Sequence, residues 1–231
     1  MINPKRRLYA TAKYAKRRIK KRAVPQRFLH KNVPYFSQWE TPELAEKIIN
    51  KEISSEEDPK WKGSGAATKK EYANWSWSGC GMACTKMLVA HLHEEDIPLV
   101  ELGKKCANYG GYTLPVEDSV GLIYGPYTKF LAEEFKLTAE AVIPLIVPEI
   151  IEALSAGKYV IASVSPKIRH VSDKPVTRGG HLILMLGYDL DKSLLYFHNP
   201  SGFTRETREY TSISLSGFKK FFGGRGILVG K

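Results

Sequence analysis

Apolar positions recur at two different periods along this chain, and the change falls close to residue 158. In the first part the spacing is three and four. It is carried by Leu44, Ile48 and Ile49, by Met87, Leu88 and Leu92, by Leu99, Leu102 and Cys106, by Phe130, Leu131 and Phe135, and by Ile150, Ile151 and Leu154. That spacing puts the apolar side chains on one helical face, and the Thr, Pro and Gly residues around each run supply start and stop signals. It predicts a helix capped by Thr41 with Glu43 in its first turn, one from Cys80 to about His93, and one opened by Pro98 and ended by Gly110-Gly111. Two more follow, one after Gly125-Pro126 and one from Pro148 to Gly157. From about residue 51 to 77 the pattern dissolves into Ser54, Ser55, Pro59, Gly63, Ser64, Gly65 and charges, which reads as a long loop.

After residue 158 the period shortens. Residues 159–164, 181–186, 194–198 and 226–229 read as strands, with a short helical pattern over 214–222 that contains Phe218 and Phe221. Residues 33–38 form a short extended segment ahead of the first helix. Helices followed by antiparallel strands predict an α+β domain in which a helical N-terminal lobe packs on an antiparallel β-sheet C-terminal lobe.

The formal charge of +11 suggests a nucleic-acid-binding protein until it is mapped. Residues 1–30 carry 11 Lys and Arg and no Asp or Glu, which leaves 24 cations against 24 acidic residues in the remainder. The chain therefore divides into a basic arm, residues 1–30, and a neutral domain, residues 31–231. Leu8, Ala12, Ala15 and Ile19 give the arm a thin amphipathic stripe, so it reads as partly helical or disordered. Its charge suits an anionic surface, membrane or nucleic acid, contacted without sequence readout. No apolar run reaches the ~18 residues of a membrane span, and no Sec-type signal opens the chain. Three cysteines do not make a disulfide framework, which places the protein by default in a reducing cytoplasm, with the membrane surface open to it through the arm.

One of those cysteines is placed for chemistry. Cys80 lies in Ser78-Gly79-Cys80-Gly81-Met82-Ala83-Cys84, where a turn-forming stretch runs directly into the helix of Met87, Leu88 and Leu92. At a helix N-terminus the unpaired N–H groups and the dipole favour thiolate over thiol. A thiolate nucleophile needs a base, a group to orient that base, and donors for the oxyanion. Among six histidines His181 is best placed as base. It follows Gly179-Gly180, where the backbone can approach a bound chain closely, and it opens a strongly apolar strand. The next strand runs into Asn199-Pro200-Ser201-Gly202, so that Asn199 can meet His181 across two antiparallel neighbours. Gln38 offers an amide donor upstream, beside the backbone N–H of Cys80. Trp75 and Trp77 precede the thiol and either wall a peptide cleft, together with Gly180, or pack as a buried pair.

These segments, 33–38, Gly79-Cys80-Gly81, Gly180-His181 leading to Gly187-Tyr188-Asp189, and Asn199-Pro200-Ser201-Gly202, resemble the double-glycine, or bacteriocin-processing, peptidase-like branch of the papain-like cysteine peptidases. The resemblance spans about residues 31–230. It implies a papain-like fold and a thiol-dependent hydrolase of peptide or amide bonds, with Cys80 as nucleophile, His181 as base, Asn199 as orienter and Gln38 as oxyanion donor. Met82 stands where that family commonly has Pro, and Asn199 where it commonly has Asp. An amide at 199 keeps the hydrogen bond and gives up a carboxylate's stabilisation of imidazolium.

Other readings share these residues. A zinc site through Cys80, Cys84 and a histidine lacks the second matching pair that structural sites use. A catalytically weak peptide-binding module tethered by its arm, or a thiol acyltransferase such as a transamidase, would keep the same fold. No nucleotide loop, metal cluster or cofactor motif is visible, so no cofactor or metal is expected, and the partner is a peptide or protein substrate.

Overall fold

Alternate residues of the strands point to opposite faces of one sheet, and both faces are covered. The protein is described by a computed structural model over residues 24–170, 175 and 177–231. Most of the basic arm and its helical stripe thus lie outside the described residues. In chain order the elements are β1 (Arg27–Leu29), α1 (Ala45–Ile49), α2 (Lys69–Ser78), α3 (Cys80–His93), α4 (Leu99–Asn108), α5 (Tyr124–Phe135), β2 (Thr138–Val142), α6 (Val147–Ser155) and β3 (Tyr159–Val164). A 3-10 turn, Pro166–Arg169, leads on to β4 (His181–Asp189), β5 (Leu194–His198), α7 (Arg205–Arg208), β6 (Thr211–Ser214), α8 (Leu215–Phe221) and β7 (Phe222–Gly230).

The sheet runs β2-β7-β3-β4-β5-β6 with every pair antiparallel. Ile161, Leu182, Leu184, Leu186, Ile227 and Val229 share one core with Met82, Met87 and Leu88 of α3, Leu102 of α4 and Phe130 of α5. Val160, Ala162, Ile183, Met185 and Phe197 join the other, against Ile150 and Leu154 of α6 and Phe218 and Phe221 of α8. Each large apolar side chain so buried contributes about 1.5–3 kcal/mol. The helical lobe therefore rests on the sheet as the period change predicts, and α6 and α8 seal the sheet's far face. β4 is buried along its whole length because helices cover it on both sides.

β3 covers β4 from His181 to Met185, and β1 continues along the same edge, with Leu29 opposite Gly187 and Arg27 opposite Asp189. Three residues counted with the basic arm thus belong to the sheet. A side chain at Gly187 would run into the Phe28 carbonyl oxygen, so β1 reaches this edge only because the position is glycine.

The stretch predicted as a loop, 51–77, is ordered. It contains 3-10 turns at Ser55–Glu57 and Trp61–Ser64 and then α2. Polar contacts organise it where no apolar period could reveal it: buried Asp58 accepts hydrogen bonds from the Thr41 N–H and hydroxyl at 3.0 and 2.6 Å and from the Tyr72 hydroxyl at 2.5 Å. Thr41 consequently spends its hydroxyl on Asp58 rather than on capping, and the helix expected after it divides into a 3-10 turn, Pro42–Leu44, and α1. The cap of α2 is Thr68, whose hydroxyl accepts from the Glu71 N–H at 3.1 Å.

Candidate active site

Only Gly79 separates α2 from α3, so Cys80 is the first residue of a new helix packed end-on to the old one. The carbonyl of Ser76 at this junction accepts from the Gly79 N–H at 3.2 Å and from the Gln38 amide Nε2 at 2.9 Å. The Gln38 N–H in turn donates to the Pro200 carbonyl at 3.0 Å, and the Ser37 hydroxyl donates to the same oxygen at 2.9 Å. Gln38 is thereby stitched to the helix junction on one side and to the loop after β5 on the other. Its Nε2 keeps a second proton beyond the one given to Ser76.

His181 opens β4 after Gly179 and Gly180, whose φ values of 109° and 96° are closed to most other residues. β5 lies beside β4 and ends at His198, which brings the next residue, Asn199, to the ring: His181 Nε2 stands 2.8 Å from Asn199 Oδ1. The amide oxygen is an acceptor only, since it also receives the Ser201 N–H at 3.2 Å. Nε2 therefore carries the proton and Nδ1 is left with the lone pair, the state a general base requires. Ser201 Oγ lies 3.0 Å from the same Nε2 and is held by Arg169, whose Nε donates to Ser201 Oγ and O at 2.8 Å each. His181, Asn199 and Ser201 are buried; Cys80 is partly exposed.

The first residues of α3 and β4 pack against one another. The backbone N–H of Leu182, next after His181, favours an anionic Cys80 sulfur, and a side chain at Gly81 would lie 3.2 Å from Leu182 Cδ1. Burial pushes the Cys80 thiol up from its ordinary value. The N–H groups of Leu182 and Gly81 and the Arg169 charge pull it back without cancelling that effect. The helix terminus alone would favour thiolate, and desolvation outweighs it here. Burial also pushes His181 down to about 3, aided by Arg169 and opposed by the Asn199 hydrogen bond. At neutral pH the resting pair is thiol and neutral imidazole.

Cys84 and Cys106 are fully buried, and burial raises both thiols, Cys106 to about 12. His198 is fixed structurally, its Nε2 donating to the Val33 carbonyl at 3.0 Å and its Nδ1 accepting the Tyr210 N–H at 3.0 Å. Of the two readings open for Trp75, its surroundings match packing: it is 3% exposed in the helical core, edge-on to Tyr112 and against Gly103. Trp77, on the same helix, is half-exposed and edge-on to Trp39, the residue after Gln38. Gly180 sits between the turn Pro166–Arg169 and His181, near Pro166. Sequence reasoning missed Ser201 and Arg169. Ser201 was in view inside Asn199-Pro200-Ser201-Gly202, whereas nothing in the pattern around Arg169 marked it. No cluster of three metal-ligating side chains occurs among the described residues.

Residues 30–226 match the model of the Peptidase_C39 like family. Among solved structures the chain is similar to one described as a C39-like peptidase from Bacillus anthracis, at 14% identity, TM-score 0.54, and coverage of 89% of this chain and 98% of that one. It is also similar to the peptidase domain of Streptococcus ComA, a bi-functional ABC transporter involved in a quorum-sensing pathway, at 12% identity, TM-score 0.46, and coverage of 66% and 91%. At such identities the first likeness shows the fold alone. No curated protein matches the chain.

Proposed function

The chain belongs to the Peptidase_C39 like family, and on that premise we propose that it is a thiol-dependent hydrolase of peptide or amide bonds, using Cys80, His181 and Asn199 with Gln38. The observation that carries this reading is the 2.8 Å hydrogen bond from His181 Nε2 to Asn199 Oδ1, made at the start of a strand whose second residue, Leu182, packs against the first turn of α3 beside Cys80. That bond leaves Nδ1 as the nitrogen able to accept a proton.

In the proposed reaction the Cys80 sulfur attacks the substrate carbonyl carbon while its proton passes to His181 Nδ1. The carbonyl oxygen, now negative, is received by the Cys80 backbone N–H and the second Nε2 proton of Gln38. His181 then delivers its proton to the leaving amine as the C–N bond breaks, and a thioester remains on Cys80. Water gives its proton to His181 and its oxygen to the thioester carbon, releasing the acid and restoring the thiol. Asn199 holds the ring in register throughout. Because thiol and imidazole rest neutral, the proton moves during attack rather than beforehand.

Incubating the chain with a mixed peptide library and reading new termini by mass spectrometry tests this. Cleavage is expected to fall by at least about 10³-fold in Cys80→Ala and in His181→Ala. Cleavage that survives in Cys80→Ala would overturn the assignment. The burial of His181 and Asn199 favours a second reading, a peptide-binding module of the same fold. Peptide retention undiminished in Cys80→Ser, with no turnover by the native chain, would select it. Amine incorporated in competition with water would select acyl transfer.

A further inference from the structure

Arg169 is a cation with no carboxylate partner among the described residues, sitting one side chain away from the candidate base. Its Nε donates to both oxygens of Ser201, its Nη1 donates to the Pro166 carbonyl at 3.0 Å, and its guanidinium lies 5.9 Å from the centre of the Phe203 ring. Ser201 Oγ is 3.0 Å from His181 Nε2 and 3.3 Å from Asn199 Oδ1. A half-buried guanidinium needs its donors satisfied, and here its Nε hydrogen bonds go to a serine that touches both members of the His181–Asn199 pair. The arrangement rests on two loops, the turn Pro166–Arg169 ahead of β4 and the segment after β5, which Arg169 ties together.

We infer that Arg169 is a positioning residue of the candidate site, clamping the His181–Asn199 pair through Ser201 and supplying the positive charge that the Cys80 sulfur needs when it loses its proton. The inference rests on the proposed hydrolase reading. It assigns two separate tasks: Ser201 fixes the ring, and the Arg169 charge sets how readily the sulfur becomes anionic. A cation acting on both groups favours the anionic sulfur and opposes early protonation of the ring, so Arg169 lowers the cost of the sulfur's negative charge as its proton passes to His181 Nδ1 during attack.

Other titratable groups around the sulfur do not supply that charge. Cys84 from α3, Tyr112 from the loop after α4 and Tyr124 from the start of α5 all interact with Cys80, and burial raises each of them, so they stay neutral through the working range. His181 from β4 is held neutral. Arg225 from β7 acts on Tyr124 and bonds weakly to Ser163 Oγ at 3.4 Å. Arg169 is lowered by burial only to about 10 and keeps its charge at neutral pH.

The test is the pH dependence of Cys80 alkylation by iodoacetamide, read residue by residue by mass spectrometry. In Arg169→Gln the rate at pH 7 is expected to fall about tenfold, with the deficit closing only as pH rises through the raised titration range of the Cys80 thiol, because the loss of a nearby charge displaces the curve along the pH axis. Arg169→Lys, which keeps the charge and loses the planar fork, should return to within about threefold of the native rate at pH 7. Ser201→Ala, a smaller change, should leave the curve's position on the pH axis in place while lowering peptide turnover about tenfold. A purely structural arginine would lower the rate by one factor at every pH, and that result overturns the inference, as does an Arg169→Gln curve superimposed on the native one. Native Cys80 alkylation that does not depend on His181 would remove the hydrolase reading, and this inference with it. His181 dependence together with an unmoved Arg169→Gln curve removes this inference alone.

Discussion

At the scale of single residues, the site is governed by burial working against charge. His181 and His198 are both neutral in the folded chain, pushed by burial to about 3 and about 4. Both values lie below the ordinary histidine value near 6.5, so the unfolded chain binds more protons, and stability is lost as pH falls through that window. Each histidine contributes a slope of about 1.4 kcal/mol per pH unit, and urea unfolding should show the pair's combined loss of about 4 to 5 kcal/mol between pH 6 and pH 4. His198→Gln should roughly halve the slope, because its two hydrogen bonds exist only in the neutral tautomer. A flat stability profile across those two units would contradict the burial of either ring. Asn199→Asp makes the opposite test at the base. A carboxylate on Nε2–H favours imidazolium, so Cys80 alkylation at pH 5 to 6 should rise about tenfold as an ion pair becomes accessible.

At the scale of elements, what the sequence disclosed and what it hid follow one rule. Elements that pack apolar stripes were legible: α3 from Cys80 to His93 and the strands 159–164 and 194–198 were readable to the residue, because their side-chain periods match the faces they bury. Hidden elements are held by polar contacts or lie at an edge. α2 depends on Thr68 and on the Asp58 cluster, and β2 and β6 are the outermost strands of the sheet, with burial on alternate positions at most. The same rule applied to the site. His181 and Asn199 could be paired from strand order, whereas Arg169 reaches Ser201 only because a 3-10 turn folds over the loop after β5. β1 gives the element-scale prediction. Gly187→Val should expel this strand by forcing a side chain onto Phe28, at a cost of about 2 kcal/mol or more, and amide exchange at residues 27–30 should accelerate while β3 stays protected.

At the scale of the whole molecule, a helical lobe and a sheet lobe bring together residues as distant in the chain as Gln38 and Asn199. Segment 33–38 runs between them and is anchored to both. Among the described residues no helix is long and apolar enough to cross a membrane. The basic arm is proposed to act separately, as a charge-driven tether to an anionic surface. Deleting residues 1–23 should abolish salt-sensitive retention on heparin or anionic vesicles and leave Cys80 reactivity unchanged, whereas deleting 1–30 should also destabilise the fold by removing β1. Retention that persists after the shorter deletion would place the tether elsewhere.

The account stands on cooperation between one sulfur and one imidazole, and the alkylation rate of Cys80 in the native chain against His181→Ala measures it most directly. Faster reaction than at Cys84 and Cys106 is not enough, since both are sealed in the core. A rate at pH 7 that falls about tenfold or more in His181→Ala, with the fold intact by circular dichroism, is the predicted result. Equal rates in the two proteins would mean that His181 never takes the proton from Cys80, and the hydrolase assignment would be wrong.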